Sequence, residues 1–348
     1  MADLRFYDRL GPLSLNQIAA LTSAAISDSG RGATEVLGVS SLETAQIGTL
    51  AYVDSAKMLK QVAPISLEGV VVITRPELSA ELRALGAITL DHNSPRAAMS
   101  LAINALFKLR RFEPGPMIDA SAEIHETACL APGVVIGGDV QIGADVYLDS
   151  GVSIGPGCHI GAGSRIGTNA SLRCTDIGEN CNILAGAVIG EAGFGVAISS
   201  DGLVDVPHLG GVFLGDRVTI GANTTVDRGV FGNTSIGDDS KIDNICHIAH
   251  NVQIARNLVM PGFSGVSGSS IIEENVMFGG RVGVSDHVVV GTGAKIAANS
   301  AVMTSVPAGA TYSGAPAQPI QSHMREIAEI RKIVRNKRKA KKSSESSD

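Results

Sequence analysis

Aliphatic side chains recur every six positions along more than half of this chain. The ladder starts at Ile118 and climbs through Ile124, Leu130, Ile136, Ile142, Leu148, Ile154, Ile160, Ile166 and Leu172. It slips by one residue, resumes at Ile177, Ile183 and Ile189, breaks, and returns at Leu214, Ile220 and Val226. An unbroken run then leads from Ile236 through Ile242, Ile248, Ile254, Met260, Val266, Ile272, Phe278, Val284, Val290 and Ile296 to Val302. Neither an amphipathic helix nor an alternating strand produces a spacing of six. A parallel β-helix does: each hexapeptide is a short flat strand plus a corner, and three of them close one triangular coil. The aliphatic residue points into the prism, while glycine and small polar residues suit corners where the backbone must turn in little room. The predicted fold is therefore mainly β. Residues 118–305 form its prism, about ten coils and roughly 50 Å long at one strand spacing per coil.

The flanks read differently. Residues 1–110 lack the ladder and predict a small α/β domain. Its elements are a helix over Leu15–Ala25, a buried strand over Gly69–Thr74, a helix over Glu77–Leu85, a strand over Ala87–Asp91, and a helix capped by Ser94 that runs to about Leu109. Residues 111–117, with two prolines and a glycine, are the linker. Residues 191–211 interrupt the ladder and must loop out from the prism wall; so long a loop without structure of its own favours a functional role. Residues 306–342 are a cap followed by a basic helix over Ile320–Lys342. Its narrow apolar stripe of Ile327, Ile330 and Val334 needs a partner, either the prism or the same helix of other subunits. Residues 343–348 predict a disordered tail.

Composition narrows the picture. Aromatic residues make up 3% of the chain and Trp is absent, as a narrow prism core requires. A net charge of −6 argues against a general nucleic-acid binder, although residues 331–342 carry eight basic side chains and no acidic one. That face is either simply solvated or a docking surface for an acidic macromolecule. No apolar run reaches membrane-span length and the start lacks a secretory core, so a soluble cytoplasmic protein is expected. The five cysteines show no CxxC pair and predict reduced, packed thiols.

Of the eight histidines, His208 lies in the segment that breaks the ladder, and His247, His250 and His287 fall in the late coils. His250 sits two positions after the inward Ile248, where a side chain can face a groove, and an imidazole suits general-base work at neutral pH. Gly268 follows it by one full coil and stacks above it; it is either a candidate oxyanion donor through its backbone N–H or simply a corner glycine. His287 falls near the same edge one coil further on. Asp243 precedes His250 by one prism face and is a candidate to orient the ring. His247 and His250 form an HxxH, but a flat strand sends residues three apart to opposite sides, so no metal site is expected.

The order of motifs resembles the UDP-3-O-acylglucosamine N-acyltransferase family of lipid A biosynthesis. GVSSLETAQIGTLAYVDSAK (38–57) looks like its uridine-binding segment. GEAGFGV (190–196), VPHLGGVFLGDRVTIGANTTVDRG (206–229) and KIDNICHIAHN (241–251) resemble its interior motifs, and YSGAPAQP (312–319) its closing stretch. The resemblance implies a left-handed coil, an exception to the usual right-handed crossover. It implies His250 as catalytic base, Asp243 and Asn244 near the site, Gly268 as oxyanion donor, and His287 near the sugar nucleotide. Where the family surrounds uracil with an aromatic, an Asn and a Tyr, this chain has Tyr52, Ser55 and Met58. The implied reaction moves an (R)-3-hydroxyacyl group from acyl carrier protein to the 2-amino group of UDP-3-O-acylglucosamine. It takes place in a homotrimer and needs no cofactor beyond the phosphopantetheine that carries the donor. An O-acyltransferase acting one step earlier would share the prism but lacks so large an N-terminal domain.

Overall fold

A computed structural model describes residues 2–62, 66–200, 202–314 and 320–345. The prism has three parallel sheets of 9, 10 and 9 strands, in which each short strand pairs with the one a coil away. The ladder sets the register: Ile142 pairs with Ile160, Ile248 with Val266 and Val266 with Val284. The slip brings Ile160 opposite Ile177, and the interruption brings Ile177 opposite Leu214. From Ile136 to Val302 every ladder residue is buried, each contributing about 1.5–3 kcal/mol of apolar burial. At the open lower end, Ile118 is 40% exposed and bridges only upward to Ile136.

Corners turn through left-handed backbone, where asparagine and aspartate are tolerated better than other residues with a Cβ. Asn169, Asn180, Asn223, Asn257, Asn275 and Asn299 take such positions, and the Asn257 amide donates to Asn275 Oδ1 at 2.9 Å. Four of the cysteines are buried as expected. Cys129 is exposed, so packed thiols describe only four of the five.

The N-terminal domain is a five-stranded sheet in the order Ala25–Ile26, Ile88–Asp91, Val71–Thr74, Thr49–Val53, Gly38–Val39. Its helices are α1 (Leu15–Thr22), α2 (Ala56–Val62), α3 (Ser79–Ala84) and α4 (Pro95–Leu106). Helix α1 ends earlier than its pattern suggested: Ser23 turns left-handed at φ 59°, and Ala25–Ile26 leaves as a strand against Leu90–Asp91. The third helix is shorter too, because Pro76–Leu78 winds as a 3₁₀ turn before α3. Helix α4 stops at Leu106 because Phe107–Leu109 pairs antiparallel with Tyr7–Arg9. Ser94 precedes α4 without a side-chain capping bond.

Residues 191–211 do have structure of their own, contrary to the loop expectation. Val196–Ser199 and Gly202–Asp205 form an antiparallel hairpin. Its Ala197 and Val206 pack with Ala97 of α4, so the insertion joins the two units. The joint is reinforced by ion pairs of Arg5 with Asp176 at 2.8 Å and Arg110 with Asp139 at 2.7 Å. The C-terminal helix α5 spans Ile320–Glu345, so residues 343–345 are helical rather than disordered. The rest of the expected tail, and residues 315–319 of the closing stretch, lie outside the described residues.

Candidate active site

Where α4 and the hairpin meet the prism they leave a cleft with about 730 Å³ of empty space, open to solvent. The N-terminal domain contributes Tyr52 from strand Thr49–Val53, and Arg96 and Ser100 from α4. The prism contributes His250 and Asn251, Ser269, and His287 from three successive corners of one edge. Backbone bonds fix that stack: Ser269 N–H donates to His250 O at 3.0 Å, and His287 N–H to Gly268 O at 3.1 Å.

Neighbouring bonds set the His250 ring. The Asn251 amide is oriented by two backbone partners, with Oδ1 accepting from Val230 N–H at 3.0 Å and Nδ2 donating to Gly232 O at 3.3 Å. The same Oδ1 faces His250 Nδ1 at 3.2 Å. An oxygen cannot donate, so Nδ1 carries the proton and Nε2 keeps a lone pair for use as a base. The ring lies on Gly268, where a Cβ would stand 2.8 Å from Cε1 and 2.9 Å from Nε2. No residue with a side chain fits beneath the ring. The Gly268 N–H has no protein acceptor among the described residues. First corner residues elsewhere, such as Ala144, share that freedom; at Gly268 the His250 imidazole packs against the Cα.

Spacing did not reveal several neighbours. His208 comes from the far end of the insertion and meets His250 edge-on, with ring centroids 5.1 Å apart. Asp227, on strand Thr225–Arg228, approaches His247 Nε2 at 3.6 Å, while His247 Nδ1 meets Thr225 Oγ1 at 2.7 Å. Burial pushes the Asp227 carboxyl up, against the pull of His247, His250 and Arg228. Burial likewise raises the Tyr52 hydroxyl. Asn251 had a signal in the sequence, as the partner adjacent to His250 in IAHN; Arg96 had none.

Four expected residues lie away from this group within one chain. Asp243 and Asn244 occupy the preceding corner, where Asp243 accepts from Asn244 Nδ2 at 2.8 Å and from Gly262 N–H at 3.0 Å. Both are exposed, and neither bonds His250. Ser55 immediately precedes α2, its hydroxyl accepting from Met58 N–H at 3.3 Å, and is exposed; Met58, on that helix, is half-buried. Tyr52 alone of the uracil trio reaches the wall shared with His250 and His287.

Known proteins resemble this chain. Residues 139–174 match the model for bacterial transferase hexapeptide (six repeats), and residues 211–244 and 270–303 that for the hexapeptide repeat of succinyl-transferase. The coil is thus that of the hexapeptide-repeat transferases, a left-handed parallel β-helix carrying an N-terminal α/β domain and a C-terminal helix. The UDP-3-O-acylglucosamine N-acyltransferase of Maricaulis maris is 52% identical over 98% of this chain and 99% of its own. That of Caulobacter sp. strain K31 is 47% identical over 94% and 96%, and that of Caulobacter vibrioides is 41% identical over 96% and 98%. The chain belongs to the UDP-3-O-acylglucosamine N-acyltransferase family, and it is an acyltransferase. Among the described residues, no helix is long and apolar enough to cross a membrane.

Proposed function

We propose that this enzyme transfers an (R)-3-hydroxyacyl group from the thioester of acyl carrier protein to the 2-amino group of UDP-3-O-acylglucosamine. His250 Nε2 takes the amine proton as nitrogen attacks the thioester carbonyl. The Gly268 N–H stabilises the oxyanion, and the protonated His250 gives its proton to the departing thiolate. A thioester is already activated and an amine is a good nucleophile, so no acyl-enzyme forms. Tyr52 and His287 hold the nucleotide end of the acceptor, with Ser55 and Met58 at the margin of the uracil pocket. The observation that carries this reading is the His250 ring, its Nδ1 proton held by Asn251, packed against Gly268 in a cleft shared with Tyr52.

The working unit is a homotrimer. The support for it is the apolar surface left open in one chain. On the prism, Ile245 is 51% and Phe263 61% exposed, and on α5 Ile330 and Ile333 are 57% and 56% exposed. A second copy would cover that surface and bring its own Asp243 and Asn244 toward this His250. The basic residues of α5 would meet the acidic carrier protein. The decisive assay pairs acyl carrier thioesters of graded length with the amino-sugar nucleotide. Formation of the amide, with a strong preference for the carrier thioester over the coenzyme A thioester, is expected. Turnover only of a sugar hydroxyl, or only with coenzyme A, would replace this reading with another acyl transfer.

A further inference from the structure

The insertion ends in a histidine that the acyl transfer above leaves without a task. His208 is 2% exposed. Its carbonyl is gripped from two sides, by the Tyr7 hydroxyl of the N-terminal domain at 2.8 Å and by Arg228 Nε of the prism at 3.0 Å. Its ring donates from Nδ1 to Val206 O at 2.9 Å, so Nε2 carries a lone pair. That nitrogen is buried and has no partner among the described residues. An unpaired buried acceptor is destabilising, and one kept beside a catalytic base calls for a reason.

Two glycines admit the ring. A Cβ on Gly195 would come within 3.0 Å of His208 Cε1. One on Gly193 would lie 2.9 Å from His250 Cβ, 3.0 Å from His250 Cδ2 and 3.0 Å from His208 Nε2. The space left by the missing Gly193 side chain is therefore bordered by the His208 lone pair and by the polar Cδ2–H edge of His250. The rings cross at 69°. Burial, followed by the proximity of His250, lowers His208 to about 4, so it stays neutral while the base works. The charged groups around the two rings are Arg228 and Glu191 on the prism wall, Arg96 on α4, and Asp227 with His247 on the adjacent coil.

We propose that His208 is a positioning residue for acyl transfer: a neutral imidazole that holds the His250 ring over Gly268 and offers its Nε2 lone pair to the imidazolium formed when His250 takes the amine proton. This rests on the function proposed above. In that reaction the C–N bond forms and the C–S bond breaks. The proton passes from the amine to His250 and on to the thiolate, and His208 neither gains nor loses one. Support of this kind strengthens as positive charge grows on the C–H edge of the base, so it acts on kcat rather than on substrate binding.

The test compares pH profiles of kcat and KM for the wild type, His208→Leu and His208→Gln, with thermal melting as the control for folding. In His208→Leu, kcat falls about tenfold, the rate equivalent of one net hydrogen bond. Both KM values hold, and the acid limb of the profile moves lower by roughly half a pH unit because the charged base has lost an acceptor. Gln restores an acceptor and most of the rate. A folded Leu variant with unchanged kcat and acid limb overturns the proposal. So does a Gln variant as slow as Leu. If Leu does not fold, the Gln variant decides alone: near-normal kcat with an unmoved limb upholds the role, and a tenfold loss refutes it. Failure of the wild type to acylate the amino sugar would instead sink the proposed function.

Discussion

Two neighbouring corners of the same coil, at Asn244–Ile245 and at His250–Asn251, have opposite surroundings. The second is roofed by α4 and the hairpin, and its His250 is held by Asn251 and flanked by buried His208. The first has no roof. Ile245 stands there at φ 56° and 51% exposure, and Phe263 repeats both features one coil up at φ 59° and 61%. A β-branched residue in left-handed backbone is strained, and a large apolar one left in solvent gains nothing from burial; both are expected where a second surface completes the environment. The lesson is that one chain encloses His250 and Gly268 but leaves Asp243 and Asn244 on an open surface, where the proposed trimer would set a neighbour.

The contrast can be tested first at the roofed corner. His250→Ala should lower kcat by about 10²–10⁴-fold with unchanged melting; near-normal turnover would remove the base from the mechanism. Gly268→Ala keeps the backbone N–H yet should cost about 10²-fold in kcat, the range for a misplaced catalytic group, because its Cβ would press on the ring at 2.8 Å. The open corner is tested by mixing. His250→Ala and Asp243→Asn trimers, each feeble alone, should regain activity when co-expressed, since some mixed interfaces pair an intact base with an intact carboxylate. No recovery in verified mixed trimers would confine each site to one chain. The smallest effect concerns stability. His208 is lowered from 6.5 to about 4 in the fold, so the unfolded chain binds its proton first. The stability tied to this histidine is complete above pH 6.5 and is lost as pH falls toward 4, on the order of 3 kcal/mol in all. Urea unfolding at pH 7 and pH 4.5 should show a steeper loss in the wild type than in His208→Gln.

The prism was legible because its code is periodic. One inward position in six fixes register, and Ile248, Val266, Val284 and Val302 fall where counting puts them. Counting also stacked Gly268 on His250 and His287 one position along, because neighbours in a solenoid are set by arithmetic. It failed where the partner comes from outside the repeat. His208 reaches His250 by way of a hairpin, and Arg96 reaches the cleft by the docking of a separate domain. The Phe107–Leu109 strand continued a helical pattern whose end was decided by Tyr7–Arg9, at the opposite end of the domain.

The solenoid is also a ruler. Three graduations separate Ile248 from Val302, with equal pairings at each mark, a climb of roughly 14 Å at one strand spacing per mark. Duplicating a whole coil beyond the cleft would carry everything downstream about 4.8 Å farther along the axis without touching a single side chain around His250. The interval between the His250 cleft and the terminal helix is thus quantised, adjustable only in whole steps of one coil.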